Sequence, residues 1–146
     1  MTATPDPGAT APPQRLQPPT SPAAEPWWDA TRDRRLVVQW CTACERPIHF
    51  PREACPACLG TALEFRPASG LGAVYALSTM PKPGNPGMAG REPYVVALVD
   101  LDEGVRLLTN LVGPDAAEAG VGDRVAVGWE PLADGRHLPV FSLHRP

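Results

Sequence analysis

The stretch CTACERPIHFPREACPAC, residues 41–58, decides how the rest of the chain is read. Cys41 and Cys44 form one C-x2-C knuckle and Cys55 and Cys58 a second, with ten residues between them and no other cysteine in the chain. Each knuckle aims two thiolates at a common point from a tight turn, and two knuckles supply the four sulfurs of a closed tetrahedral site. A closed shell leaves no position for water or substrate, so the expected ion is a structural Zn2+. A rubredoxin-type iron site uses the same four thiolates, and the ligand set alone leaves iron open. Two disulfides would need an oxidising compartment, and MTATPDPG at residues 1–8 has neither the basic nor the apolar region of an export signal. The expected localisation is cytoplasmic. His49 lies between the knuckles, but four cysteines complete the shell, and its imidazole is expected to pack or face solvent.

Short apolar runs flank the knuckles. LVVQW at 36–40 leads into the first, PIHF at 47–50 leads toward the second, and ALEF at 62–65 follows it. Their β-branched and aromatic content predicts a three-stranded ribbon. About forty residues cannot bury enough apolar surface to fold alone, so metal binding and ribbon folding should be one event. Upstream, PWWDATRDRR at 26–35 has proline at a helix start and no internal glycine or proline, predicting a short helix. Adjacent tryptophans point about 100° apart on a helix, so one face of a small domain cannot easily bury both. Either one of Trp27 and Trp28 faces a partner, or both pack on the ribbon and the domain that follows. Residues 1–26 hold eight of the twenty prolines, and Leu16 is their one large aliphatic residue after Met1. So little apolar surface predicts a disordered Pro-rich tail over residues 1–25.

Beyond Pro67 the pattern is all-β, with strands expected at 71–79, 94–101, 105–112, 124–129 and 137–143. Asp102, Glu103 and Gly104 form a tight hairpin connection between the second and third. Val125, Val127 and Trp129 alternate with Arg124, Ala126 and Gly128, the period of a strand with one buried face. Residues 113–120 separate the third and fourth strands and can hold a single helical turn. Five strands with an insertion there is the layout of an OB-fold. The fold class is therefore mainly β: an N-terminal helix and zinc ribbon over 26–66, then a five-stranded OB-fold barrel over 67–146. The thirteen residues 81–93, with four prolines and three glycines, make a long loop between the first two barrel strands. Lys82 and Arg91 on it could meet an anionic ligand, with Met88 along an apolar part of it; a solvated connection is the plainer reading.

The chain carries a formal charge of -3, and residues 67–146 hold six Lys plus Arg against nine Asp plus Glu. That balance does not suit a polyanion-binding groove. No run approaches the roughly 18 apolar residues of a membrane span. There is no Gly-x-Ser-x-Gly elbow, and zinc would leave no free thiol as a nucleophile. His49, His137 and His144 are scattered along the chain, and Asp100, Asp102 and Glu103 sit at a hairpin tip where solvation is the simplest role.

A helix with paired tryptophans, a C-x2-C-x10-C-x2-C ribbon, and PYVVALVDLDEGVRLLTNLV at 93–112 occur here in that order. The chain resembles the DUF35 proteins, a rubredoxin-like zinc ribbon followed by an OB-fold, over roughly residues 26–144. The most telling parts are 50–58 and 97–104. The resemblance implies a non-catalytic accessory subunit, not an enzyme. Such a subunit forms a hetero-oligomer with a thiolase-like enzyme, a hydroxymethylglutaryl-CoA synthase, a lipid-transfer-protein-like aldolase or a MaoC-like hydratase. It helps to hold the acyl-CoA. It also implies Cys41, Cys44, Cys55 and Cys58 as metal ligands and transfers no catalytic residue. The family often has glycine directly after each knuckle, where this chain has Glu45 and Leu59. The alternative function is a nucleic-acid-binding zinc-ribbon and OB-fold protein, which would need a basic groove with stacking aromatics.

Overall fold

The computed structural model describes residues 13–146. The ribbon is a three-stranded antiparallel sheet of β1 (Val37–Cys41), β2 (Arg46–Ile48) and β3 (Leu63–Pro67), in the order β2-β1-β3. The barrel closes through β4 (Leu71–Met80), β5 (Tyr94–Leu101), β6 (Arg106–Leu111), β7 (Arg124–Pro131) and β8 (His137–Leu143), in the order β4-β5-β6-β8-β7. Every pairing is antiparallel except β6 with β8, which is parallel. This is the OB-fold order expected from the sequence. A register shift at Tyr75 bends the long β4 so that it can pair with both β5 and β7.

The local chemistry of these elements follows the sequence closely. β5 alternates half-buried and buried residues along its whole length, from Tyr94 to Leu101. Gly104 has φ +97, which lets the chain reverse between β5 and β6, and Leu101 N donates to Val105 O at 2.8 Å. The insertion between β6 and β7 holds one 3-10 turn, Ala116–Glu118. β7 departs from strict alternation: Val125 is sealed, while Val127 and Trp129 are only partly buried against the core.

Helix α1 (Glu25–Arg32) takes Pro26 in its first turn, where the missing N–H costs nothing. Both tryptophans are buried, Trp27 at 4% exposure and Trp28 at 5%. A partner-facing tryptophan is therefore not what the chain uses, and the reason is that the helix has two neighbours rather than one. Trp27 lies 5.5 Å from Phe50 and 5.8 Å from His49 of the ribbon side, centroid to centroid. Trp28 packs edge-on against Trp27 at 4.7 Å and lies under the Arg136 guanidinium of the β7–β8 loop. Thr31, fully buried, accepts from His137 N of β8 at 3.2 Å and donates to Trp28 O at 2.6 Å. The helix is thus a wedge between ribbon and barrel. Its apolar residues join Val37, Val38 and the barrel interior in one continuous core.

The expected disordered tail is corrected for residues 13–25, while its first twelve residues lie outside those described. Residues 13–20 have no regular secondary structure, yet they lie along the barrel as a strap. Composition missed this because the anchors are polar. Arg136 Nη2 donates to Pro18 O at 2.8 Å, and Arg15 reaches into the barrel mouth. The strap passes so close over Gly87 that a Cβ there would stand 2.8 Å from Gln14 O.

Candidate functional site

The two knuckles converge as their spacing predicts. All four Sγ atoms lie within 4.8 Å of one another, with Cys41–Cys58 at 3.6 Å and Cys44–Cys55 at 3.5 Å. A tetrahedron with a Zn–S distance of about 2.3 Å has edges near 3.8 Å, so the arrangement fits such an ion. The sulfur environment also asks for a cation. Burial and neighbouring sulfurs push the Cys44 thiol up to about 12, and the backbone N–H of Cys58 leads in holding Cys55 down to about 6. Burying several thiolates together without a positive ion between them would be costly. Gly60 N donates to Cys58 Sγ at 3.4 Å, an orienting contact of the kind that supports metal thiolates. The domain is a rubredoxin-like zinc ribbon, and its zinc is structural.

Glu45 and Leu59, which stand where the family often has glycine, both adopt left-handed backbone, with φ +55 and +62. The turn geometry after each knuckle is therefore the one glycine favours, held here by side chains that resist it. Glu45 recovers a contact by accepting from Trp40 Nε1 at 3.3 Å; Leu59 is 77% exposed. His49 stands outside the sulfur cluster, packed on Trp27, and burial lowers it to about 4. Gln39, 3% exposed on β1, exchanges two hydrogen bonds with the backbone of Arg52 and so pins the segment leading into the second knuckle. Nothing in the sequence flagged that glutamine.

A second feature lies at the barrel mouth, where a cleft of about 400 Å³ opens between the β4–β5 loop and the end of β6. The loop is not wholly solvated. It turns through a 3-10 segment, Pro86–Met88, capped by the Asn85 side chain, and Met88 is buried at 6% exposure. Arg91 lines the cleft, whereas Lys82 is exposed on the loop and does not. Arg15 of the strap joins Arg91 there, a residue the sequence reading did not single out. Its Nη2 donates to Asn110 Oδ1 at 3.0 Å, its Nη1 lies 3.2 Å from Met88 Sδ, and its Nε stands 2.9 Å from Glu130 Oε2. Arg91 Nη1 donates to the other Glu130 oxygen.

The acidic hairpin tip is an ion-pair station. Asp102 receives both Nη atoms of Arg124 at 2.8 Å, Asp100 pairs with Arg106, and Glu103 accepts from Ser69 N. The guanidiniums hold both aspartates below the usual carboxylate range. None of the described helices is long and apolar enough to cross a membrane.

Comparison with known proteins agrees with this geometry. Residues 28–64 match the ChsH2 rubredoxin-like zinc ribbon domain, and residues 65–130 match the ChsH2 C-terminal OB-fold domain. The chain is 43% identical over 117 residues to a probable enoyl-CoA hydratase alpha subunit of Thermomonospora curvata. It is 32% identical over 118 residues to the 3-oxo-4,17-pregnadiene-20-carboxyl-CoA hydratase alpha subunit of Mycobacterium tuberculosis. The alignments take in 79% and 81% of this chain but only 35% of either relative, so it spans about a third of their length. A DUF35 domain-containing scaffold protein of Methanothermobacter thermautotrophicus is 33% identical over 80% of this chain and 87% of its own length. A solved Ltp2-ChsH2(DUF35) aldolase superposes with a TM-score of 0.78 at 38% identity, covering 87% of this chain and 98% of that one. A DUF35 protein of unknown function from Sulfolobus solfataricus, 16% identical with a TM-score of 0.62, shares the fold over 86% of this chain and 87% of its own. By its two matched domains and by these relatives, the chain belongs to the DUF35 family in its ChsH2 form, a rubredoxin-like zinc ribbon joined to an OB-fold.

Proposed function

We propose that this chain is a non-catalytic accessory subunit of an enzyme that processes acyl-CoA, docking on it as a hetero-oligomer and helping to hold the thioester. The observation that carries this reading is the match to the ChsH2(DUF35) chain of an aldolase over 98% of that chain's length. Two relatives named as CoA-thioester hydratase alpha subunits point to the same class. In this reading Cys41, Cys44, Cys55 and Cys58 hold the structural zinc and give the ribbon its shape. The β4–β5 loop, with Lys82 and Arg91, faces the acyl-CoA. The partner is a thiolase-like enzyme, an aldolase of the lipid-transfer-protein type or a MaoC-like hydratase, and the chain supplies no reacting group.

Two features disfavour nucleic acid as the ligand. OB-folds bind oligonucleotides on the face of the second and third strands between the first-to-second and fourth-to-fifth loops. Here that path is crossed by the strap, from Met88 and Asn110 at Arg15 to Arg136 at Pro18. The barrel is also acidic overall.

The test is to co-express the tagged chain with the products of neighbouring genes and identify the co-purified enzyme by mass spectrometry. The enzyme is then assayed with and without this subunit. Recovery of a CoA-thioester enzyme whose activity depends on the chain is expected. Recovery of nucleic acid, with firm retention on heparin, would overturn the proposal.

A further inference from the structure

We infer that the outer face of β4, β5 and β6, around Leu98 and Leu108, is the surface on which the partner enzyme docks, through an uncharged aliphatic patch of its own; the identity of the partner rests on the accessory-subunit reading above. The first observation is the sequence of β5. YVVALVDL at 94–101 is apolar toward both sides of the sheet, with Asp100 as its one charge. Such a run belongs to a strand covered on both faces, yet the barrel interior takes only Val95, Ala97, Val99 and Leu101. Val96 and Leu98 face outward. The register sets Leu98 between Ala76 of β4 and Leu108 of β6, so an aliphatic row crosses three strands. Leu108 is 72% exposed, and Tyr75, 50% exposed, borders the row with the Arg106 guanidinium 3.3 Å from its ring centroid. Contiguous exposed apolar side chains of this kind mark an interaction site. Trp27 and Trp28 are core residues and offer a partner nothing, whereas this face does.

Charge, shape and size decide what covers it. The hollow over Ala76, Val96 and Leu98 has a volume of about 220 Å³ and takes aliphatic side chains. Its charged border is already matched, because Asp100 accepts from Arg106 Nε at 2.6 Å and from Nη2 at 3.1 Å. An anionic ligand would have to break that pair, and an uncharged apolar surface would not. The hollow shares Val96 and Leu108 with a second, of about 290 Å³, that runs on to Leu138, Pro139 and the strap at Arg15. The surface to be covered therefore bends from the sheet face toward the barrel end. Two copies of a convex barrel meeting at Leu108 would fall well short of the roughly 20–30 residues a side of a standard interface. A larger, concave partner can follow the bend. The N-terminal segment is not the cover: Leu16 of the strap is 63% exposed, and residues 1–12 hold no large apolar side chain after Met1. OB-folds take their ligands on the face of the second and third strands, here β5 and β6; the strap crosses one end of it at Asn110 and leaves Leu98 and Leu108 to the partner.

The experiment titrates the full-length zinc-loaded chain with the purified CoA-thioester enzyme that the co-expression test identifies. Leu108→Glu, which places a charge on an exposed side chain, and Ala76→Arg, which fills the hollow, should each weaken binding about tenfold or more. Zinc content and thermal midpoint should match the parent in both. Tyr75→Ala should lose less. Val121→Glu is the control, a charge on a residue 71% exposed outside this face, and should bind like the parent. Hydrogen exchange on the complex should show added protection at 76–78, 96–98 and 106–110. Parent-like binding by Leu108→Glu and Ala76→Arg, or protection confined to other segments, would overturn the inference while the accessory-subunit reading stands. Equal loss in Val121→Glu would overturn it as well. Sedimentation of the chain alone supplies the other arm: a concentration-dependent dimer that Leu108→Glu abolishes would assign the face to a second copy instead. A parent chain that captures no CoA-thioester enzyme would sink the accessory-subunit reading and this partner with it.

Discussion

Inside the barrel, Phe141, Val99 and Val125 are sealed from solvent within a continuous apolar core that reaches through the Trp27–Trp28 helix. Around the four cysteines of the ribbon the buried cluster shrinks to Ile48 and two cysteine side chains, with Cys44 and Leu63 half-covered beside them, while Val37 and Val38 at the other end of β1 belong to the larger core. Both regions are built of β-strands that pair antiparallel, apart from β6 with β8, so the contrast is in what holds them. The barrel is stabilised by area removed from water, and the ribbon by metal–sulfur bonds that stand in for a core it is too small to make. The helix complicates the contrast, because Trp27 touches ribbon residues while Trp28 and Thr31 touch the barrel. The two regions are joined by packing, and their independence is open to measurement.

The largest effect should come from the metal. Removing zinc with a chelator, or replacing Cys41 or Cys55 with serine, should abolish ribbon order, since apparent binding free energies of structural zinc run to about 10–16 kcal/mol. The barrel resonances should survive. If they vanish too, ribbon and barrel are one cooperative unit. Metal analysis and absorption on the same sample should show about one colourless ion per chain; the visible colour of a ferric tetrathiolate would mean iron instead.

The complementary change is Phe141→Ala, which should cost about 3–5 kcal/mol in the barrel while leaving zinc stoichiometry at one. Denaturant unfolding followed separately by barrel and ribbon probes would report it. Loss of zinc at the same midpoint would again argue against two separate means of stabilisation.

Acid should act where the regions meet. His49 is held neutral by burial, at about 4 against an ordinary 6.5. Its folded-state value is depressed, so the unfolded chain takes up the proton first. Stability is full above about pH 6.5 and falls, by at most about 1.4 kcal/mol per pH unit, as the pH drops toward 4. His49→Gln should flatten this slope relative to the parent. The comparison is made variant against parent because protonation of zinc thiolates adds its own acid sensitivity to both. An unchanged slope would show that His49 does not report the junction.

The smallest expected effect separates the two knuckles. Leu59→Gly should stabilise the ribbon by about 1 kcal/mol, because Leu59 holds left-handed backbone and contributes little packing at 77% exposure. Glu45→Gly should gain less, since it gives up the contact with Trp40. Thermal midpoints of the zinc-loaded variants would check both, and a loss of stability in Leu59→Gly would mean that its side chain matters to the turn.

Much of this molecule could be read before it was seen. Two C-x2-C knuckles announce their site because ligand chemistry is local, and the apolar β-branched run 94–101 announces β5, whereas the alternation expected at 124–129 holds only in part because Val127 and Trp129 are half-buried. Arg91 could be picked out as a charge on a long loop. Its partners could not, since Arg15 lies 95 residues from Asn110 along the chain and still donates to it. The same distance effect hid the contacts that hold residues 13–25 along the barrel, which proline content does not report. It also hid the fate of the paired tryptophans, which depended on the helix having a neighbour on two sides.

By itself, then, the sequence determined the ligand set, the strands and their hairpin turns, the barrel and the family. Each of these rests on residue chemistry or on interactions within a few positions. Only the tertiary structure decided that Trp27 and Trp28 are both core, that the proline-rich segment is a strap, and that Arg15, Arg91 and Glu130 share one cleft. Those facts rest on contacts between segments far apart in the chain, and such contacts depend on how a closed barrel brings its loops to one end.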